Sequence, residues 1–170
     1  MIALLRGVNV GGRAMIAMAD LRELVTKLGF LNVRSILQSG NLIFDTKKKP
    51  ADVEKLLEKE LEVDVMVRTA AEMQAIVDAN PFPKEAKNDP GRLVVLFLQG
   101  TGDGKTLQKA IKDREIARGE GRQIYVYYPD GQGRSRLTNA LIEKTLGTRV
   151  TARNWNTVLK LRDADVSNGP

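Results

Sequence analysis

The segment VRSILQSGNLIFD, residues 33–45, decides the fold. Its two apolar runs, VRSILQ and NLIFD, flank the dipeptide SG, and a two-residue loop of this kind is typical of a β-hairpin. Before it, IALLRGV predicts a strand and the helical spacing of MADLRELVTKLG predicts a helix. After it, Pro50 opens a second helix and VDVMVR alternates as a fourth strand. The predicted order is βαββαβ.

The second half of the chain predicts the same order of elements. Thr69 and Glu72 form a capping box that opens a connecting helix, which ends at NPFP. The elements that follow are the strand RLVVLFL, a helix around Leu107, Ala110 and Ile111, the strands EIAR and RQIYVYY joined through GEG, the helix SRLTNALIEKTLG, the short segment TRVTA and a final helix beginning near Asn154.

A split βαββαβ unit is the ferredoxin-like arrangement. We therefore predict an α+β protein with two tandem ferredoxin-like subdomains, a linking helix and a C-terminal helix. The predicted boundaries are 1–69 for the first subdomain, 70–90 for the connecting helix and loop, 91–163 for the second subdomain with its C-terminal helix, and 164–170 for a flexible tail.

The composition excludes several classes of chemistry. The chain has 170 residues, 42% of them hydrophobic and 28% charged, with no Cys and no His. A thiol nucleophile, an imidazole base and a zinc site of the usual ligands are therefore excluded, and we predict no cofactor and no metal site. No apolar run approaches the length of a membrane span, so we expect a cytoplasmic protein without a membrane partner.

Basic residues are concentrated in one region. The net charge is +6, and between Arg114 and Arg153 eight basic residues, seven of them Arg, stand against four acidic ones. Arginine pairs with phosphate or carboxylate through two hydrogen bonds, so this bias favours an anionic partner such as a nucleotide or nucleic acid. A solvated charged face is the simpler interpretation.

The first strand is followed by RGVNVGG, residues 6–12, which the predicted topology places beside QSGN, residues 38–41. Glycines let backbone N–H groups turn inward, and the next helix offers its positive N-terminus to an anion. The alternative is structural: SG closes a hairpin, the glycines form a tight loop, and Arg6 pairs with a carboxylate.

Two further glycine-rich loops resemble phosphate cradles. LFLQGTGDGKT, residues 96–106, departs from the P-loop spacing, because only three residues separate Gly100 from Gly104. YYPDGQGRSRL, residues 127–137, places two glycines before a helix that Ser135 is expected to cap. A simple strand-to-helix connection is the preferred interpretation of both.

Several separated motifs resemble the bacterial domain-of-unknown-function family numbered 1697, from residue 1 to about residue 163: ALLRGVNVGG, MADLRELVTKLGF, QSGNLIF, NPF, GRSRLT and ARNWNTVLKL. The resemblance implies two small α+β subdomains and no established activity. One departure is GGRAM where relatives are similar to GGKNK. The residues characteristic of the family are Arg6, Gly7, Asn9, Gly11, Gly12, Ser39, Gly40, Asn41, Asn80, Pro81, Phe82, Arg153, Asn154, Trp155 and Thr157.

Three functions stay open on the sequence. The first is a binding module for a phosphate-bearing ligand, and the second is an enzyme acting on a small polar substrate without His or Cys. In the third, the asparagines tie loops and helix ends, and the protein acts through partners or self-association. The candidate ligand-binding residues are Arg6, Asn9, Gly11, Gly12, Ser39, Asn41, Arg153 and Asn154.

Overall fold

The computed structural model describes residues 1–9 and 15–166 and is divided into two compact units. The first unit comprises Met1–Gln74 and Lys160–Pro170, and the second comprises Ala75–Leu159. Each unit has one four-stranded sheet in which all neighbouring strands are antiparallel. The protein is therefore of the mixed α+β class.

The first sheet has the strand order β2-β3-β1-β4. Its elements are β1 (Ile2–Leu5), α1 (Met18–Lys27), β2 (Leu31–Ser35), β3 (Asn41–Asp45), α2 (Pro50–Leu61) and β4 (Val65–Arg68). In β1 all four residues are buried, as expected for a central strand whose sequence is a continuous apolar run.

One face of this sheet packs against α1 and α2. Ala3 and Leu5 of β1 contribute to a core that also contains Leu21 of α1 and Leu57 of α2. These residues follow the period of two on the strand and the helical period on α1 and α2, which explains why the sequence pattern predicts both helices.

The second sheet has the equivalent order β6-β7-β5-β8. The remaining elements are α3 (Ala70–Asp78), α4 (Pro83–Asn88), β5 (Leu93–Asp103), α5 (Gly104–Ala110), β6 (Ile116–Arg118), β7 (Glu120–Tyr127), α6 (Asn139–Leu146), β8 (Val150–Asn154) and α7 (Trp155–Val166). Its core again combines alternate strand residues with Leu107 of α5 and Ile142 of α6.

The capping box at the start of α3 is confirmed in both directions. The backbone N–H of Thr69 donates to the Glu72 carboxylate at 2.7 Å, and the N–H of Glu72 donates to the Thr69 hydroxyl at 3.1 Å. The sequence pattern predicts only the end of a helix at NPFP, whereas in the structure Pro83 also opens the short helix α4.

The hairpin between β2 and β3 differs from its prediction. Strand β2 ends at Ser35, and residues 36–40 form a longer connection in place of the SG dipeptide alone. The N–H of Ile36 donates to the carbonyl of Asn41 at 3.0 Å, and Leu37 and Gly40 have positive φ values of 59° and 76°. A left-handed Leu37 stops the strand before the predicted turn.

Helix α7 extends to Val166, into the segment that the sequence predicts as a tail. Residues 167–170 of that segment lie outside the described residues.

Candidate functional site

The end of β1 and the β2–β3 hairpin are in contact. The N–H of Leu5 donates to the carbonyl of Gly40 at 2.8 Å. A Cβ on Gly40 would lie 3.0 Å from the Cβ of Leu5 and 3.2 Å from that of Val8. Glycine is required at this position because the φ is positive and the neighbouring chain is close.

Asn9 fastens the connection between β1 and α1. Its Nδ2 donates to the carbonyls of Ile16 and Gln38, both at 3.0 Å, and its Oδ1 accepts from the N–H of Ile16 at 2.9 Å. Its own φ is 55°, a conformation that asparagine tolerates better than most residues. One amide therefore closes the loop at its base and attaches it to the hairpin.

We call the three side-chain hydrogen bonds of Asn9 the clasp. A cavity of about 550 Å³ lies beside it. Its lining consists of Asn9, Gln38, residues 15–17 that lead into α1, and Met18 and Ala19 in the first turn of α1. Ala17, the residue that precedes the first turn of α1, provides no side-chain cap. The first N–H groups of a helix have no acceptor within the helix, and this cavity adjoins the end of α1 that carries them.

The side chains of Asn41 and Ser39 form hydrogen bonds within the β2–β3 hairpin. Asn41 is fully buried, and its Nδ2 donates to the carbonyl of Ile36 at 2.8 Å and to the Ser39 hydroxyl at 3.0 Å. A buried amide left without partners would be costly, so these contacts explain an asparagine in an otherwise apolar strand.

Arg6 lines a different cavity from Asn9. Its guanidinium lies 3.6 Å from the carboxylate of Asp64, and the cavity around it, of about 330 Å³, also includes Glu58 and Glu62. The sequence predicts one concave rim shared by Arg6 and Asn9. The structure instead directs the Arg6 side chain toward carboxylates that precede β4, so the alternative that Arg6 pairs with a carboxylate is the one observed, although local sequence does not identify Asp64 as the partner.

Arg153 and Asn154 belong to the second unit and have structural contacts there. Arg153 is buried, and its Nη1 donates to the Thr151 hydroxyl at 2.7 Å and to the carbonyl of Ala152 at 2.8 Å. Burial lowers the pKa of its guanidinium to about 10. The Oδ1 of Asn154 accepts from the N–H of Thr157 at 3.0 Å and caps α7.

Gly11 and Gly12 lie outside the described residues. The cap predicted at Ser135 is wrong, since Thr138 accepts from the N–H of Leu141 at 3.2 Å and caps α6. The Ser135 hydroxyl instead donates to the carboxylate of Glu115.

Sequence reasoning missed two buried charged residues. Arg68 is 1% exposed at the end of β4, and Glu115 is 8% exposed just before β6. Nothing in the local pattern marks either side chain as buried.

Within residues 1–9 and 15–166, no group of three or more acidic side chains is arranged to hold a metal ion. No helix in this part of the chain has the length and apolar character needed to cross a membrane.

Comparison with known proteins identifies the family. The family model described as "Protein of unknown function (DUF1697)" matches residues 1–125, and the chain belongs to this family. The structure is similar to that of the conserved bacterial protein SP0830 from Streptococcus pneumoniae, with a TM-score of 0.71 and 23% sequence identity over 95% of this chain and 96% of that one. No curated protein matches significantly.

Proposed function

We propose that this member of the DUF1697 family binds a phosphate-bearing ligand, a nucleotide or a nucleic acid, at the rim where RGVNVGG meets QSGN. The observation that carries the proposal is the 550 Å³ cavity at the uncapped start of α1. Backbone N–H groups at a helix N-terminus attract anions through both hydrogen bonding and the helix dipole.

The side chains at this rim divide into two roles. Asn9, Ser39 and Asn41 hold the loop and the hairpin in place through their internal hydrogen bonds. The ligand is bound by the first N–H groups of α1 and by the exposed side chain of Gln38, which lines the cavity. On sequence grounds, Gly11 and Gly12 add further backbone donors.

The remaining candidates act indirectly in this proposal. Arg6 contributes positive potential while paired with Asp64. Arg153 and Asn154 organise β8 and the start of α7, and the Arg-rich segment from Arg114 to Arg153 attracts an anionic partner at long range.

The same proposal includes a ferredoxin-like class for both units, supported by the βαββαβ order and by the strand order in each sheet. The subdomain boundaries 1–69 and 91–163 and a cytoplasmic location remain part of it as predictions from sequence.

A purely structural role for the polar motifs is the second candidate, and a specific observation favours it. Asn9, Asn41 and Asn154 each form hydrogen bonds to backbone groups of their own unit. Under this alternative the motifs maintain the fold, and the rim cavity has no ligand of its own.

The test exploits the fact that two helices of the first unit are uncapped. Ala17→Asp places a carboxylate at the start of α1, where it caps the helix and repels a phosphate. Lys49→Asp does the same at α2, which also has no side-chain cap. The control therefore lowers the net charge more than the test variant does, because it replaces a cation rather than a neutral residue, but it leaves the rim untouched.

The measurement is the melting temperature with ATP, pyrophosphate or a short RNA at low and moderate salt. A ligand that binds only the native state raises the melting temperature. We expect stabilisation of the native sequence and of Lys49→Asp, and its loss in Ala17→Asp. Equal loss in both variants would indicate general charge attraction, and no response from the native sequence would favour the structural alternative.

A further inference from the structure

We propose that the second unit carries a separate binding site for a small organic acid, a phosphate monoester or carboxylate attached to an apolar body. The site lies in a groove between the α5–β6 connection, residues 111–115, and the β7–α6 connection, residues 128–138. We call it the Ser135 groove. It is independent of the rim beside α1, so the failure of one proposal leaves the other standing.

Two adjoining cavities form the groove. The smaller, of about 270 Å³, has an apolar wall, and the larger, of about 650 Å³, is lined by charged side chains. The apolar wall consists of Ala110, Ile111, Leu137 and Leu141. The residues shared by both cavities are Lys112, Asp113, Glu115 and Arg136. A single ligand can therefore place one end in each cavity.

The charged cavity retains two cations for a ligand. Arg114 pairs with Asp130 at 2.8 Å, and Arg136 contacts the carboxylate of Asp113. Lys112 and Arg134 are exposed, line the same cavity, and have no ion pair among the described residues. An anion placed between these two side chains gains charge-assisted hydrogen bonds without breaking an existing pair.

A buried carboxylate, Glu115, lies where the two cavities meet. It is 8% exposed at the border of the two cavities, and its carboxylate accepts from the Ser135 hydroxyl. That hydroxyl also accepts from the N–H of Leu137 at 3.0 Å, which fixes the loop. Because Glu115 lines both cavities, the orientation is set by what the cavities do not share: Arg134 lines only the charged cavity and attracts the acidic group there, while the apolar body contacts the apolar wall of the smaller cavity.

The smaller cavity has room for a ring or a short alkyl chain. A cavity of about 150 Å³ lined by apolar side chains is sufficient for benzene, and this one measures about 270 Å³. Ile111 and Leu141 are partly buried against the core and line the cavity, so their methyl groups report on an occupant.

The experiment follows the methyl NMR signals of Ile111 and Leu141 during titration with phenyl phosphate, phenylacetate and benzyl alcohol. We expect saturable shifts with one or both anions and none of comparable affinity with the alcohol. A response to phenyl phosphate alone assigns the acidic group as phosphate, and a response to both anions assigns a general acid site. If neither anion gives saturable shifts, or if benzyl alcohol binds equally well, the proposal is overturned.

A pair of double variants tests the two cations. Lys112→Gln with Arg134→Gln should weaken anion binding by about tenfold or more, because each removes a charge-assisted contact. The matched control is Lys105→Gln with Lys109→Gln, which removes the same charge from exposed positions on α5 outside both cavities. An equal loss of affinity in both double variants would refute a specific role for Lys112 and Arg134.

Discussion

The two units share one order of elements and one order of strands, yet they differ at opposite ends of their sheets. In the first unit, residues 6–17 separate β1 from α1 and residues 36–40 separate β2 from β3. In the second unit, α5 follows β5 directly, and Gly119 alone joins β6 to β7. The end that carries the proposed rim in one unit is therefore reduced to minimal connections in the other.

At the opposite end of the sheet, the second unit has the longer connection. Residues 128–138 join β7 to α6, whereas the equivalent connection of the first unit, residues 46–49, is short. The Ser135 groove lies at this elaborated end. Since the two units share the same order of strands and helices, differences in function between them are expected to reside in these connections.

The largest expected effect tests the equivalence of the two cores. Leu5 of β1 and Leu96 of β5 are buried leucines on the helix-packed face of the central strand. Leu5→Ala and Leu96→Ala should each reduce the free energy of unfolding by about 2–5 kcal/mol, from lost burial and an unfilled cavity. Chemical denaturation measures both.

Leu31→Ala is the control, because Leu31 is 66% exposed and its truncation removes little buried surface. A cost for Leu5→Ala or Leu96→Ala as small as that of the control would show that the corresponding core is not packed as described.

The next effect concerns the direct β5–α5 junction. A Cβ on Gly104 would lie 2.8 Å from the carbonyl oxygen of Gly119 and 2.9 Å from the backbone of Arg118. Because backbone atoms cannot move aside as a side-chain tip can, Gly104→Ala should cost about 3 kcal/mol. Gly133→Ala, which meets nothing within 4 Å, is the control in the thermal or chemical unfolding measurement.

If Gly104→Ala proves as harmless as Gly133→Ala, the junction between β5 and α5 can relax. The contrast with the long β1–α1 connection would then not depend on close packing at Gly119.

A smaller effect is expected at the clasp of the first unit. Asn9→Ala removes three hydrogen bonds to backbone groups of Ile16 and Gln38 and should cost about 2 kcal/mol in unfolding free energy. Asn32→Ala is the control for the cost of placing alanine at a residue with positive φ. Asn32 also has a positive φ, of 51°, but only one described side-chain bond, to Asp45 at 2.7 Å.

The difference between the two asparagine variants measures the hydrogen bonds of the clasp. Equal destabilisation by both would mean that the left-handed backbone, rather than the clasp, is what Asn9 contributes.

Local patterns were sufficient to predict most of the architecture. The apolar alternation of VDVMVR, the helical spacing after Pro50 and the Thr69–Glu72 capping box each depend on residues close in sequence, and the structure contains all three elements. The family assignment also followed from motifs whose spacing can be read directly.

The side-chain positions that the sequence does not predict depend on contacts between residues that are distant in sequence. The sequence places Arg6 at the rim because it follows β1, but its guanidinium lies 3.6 Å from the carboxylate of Asp64, the residue that precedes β4. Serine is a residue type that commonly caps helices, yet the Ser135 hydroxyl donates to Glu115 in the α5–β6 connection. Side-chain direction in loops is set by such tertiary partners, and no local spacing encodes it.

The smallest expected effect is a loss of folding stability that occurs only at alkaline pH and arises from tyrosines of the second unit. All three tyrosines, Tyr125, Tyr127 and Tyr128, lie in the second unit. The Tyr125 hydroxyl donates to the carbonyl of Ile76 at 2.5 Å, and burial raises its pKa to about 12. Burial is also the largest cause that raises the pKa of Tyr127 and of Tyr128.

An unfolded tyrosine loses its proton near pH 10, whereas folded Tyr125 retains it to about pH 12. Between these values the unfolded chain binds fewer protons, so stability falls as pH rises. Ultraviolet titration of the native protein, compared with that of Tyr125→Phe, should therefore show that Tyr125 ionises at about pH 12 rather than near pH 10. Tyr125→Phe should make the alkaline loss of stability shallower, because it removes one of the groups that titrate differently in the two states. Ionisation of Tyr125 near pH 10 in the native protein, or an unchanged slope in Tyr125→Phe, would contradict the burial of the Tyr125 ring.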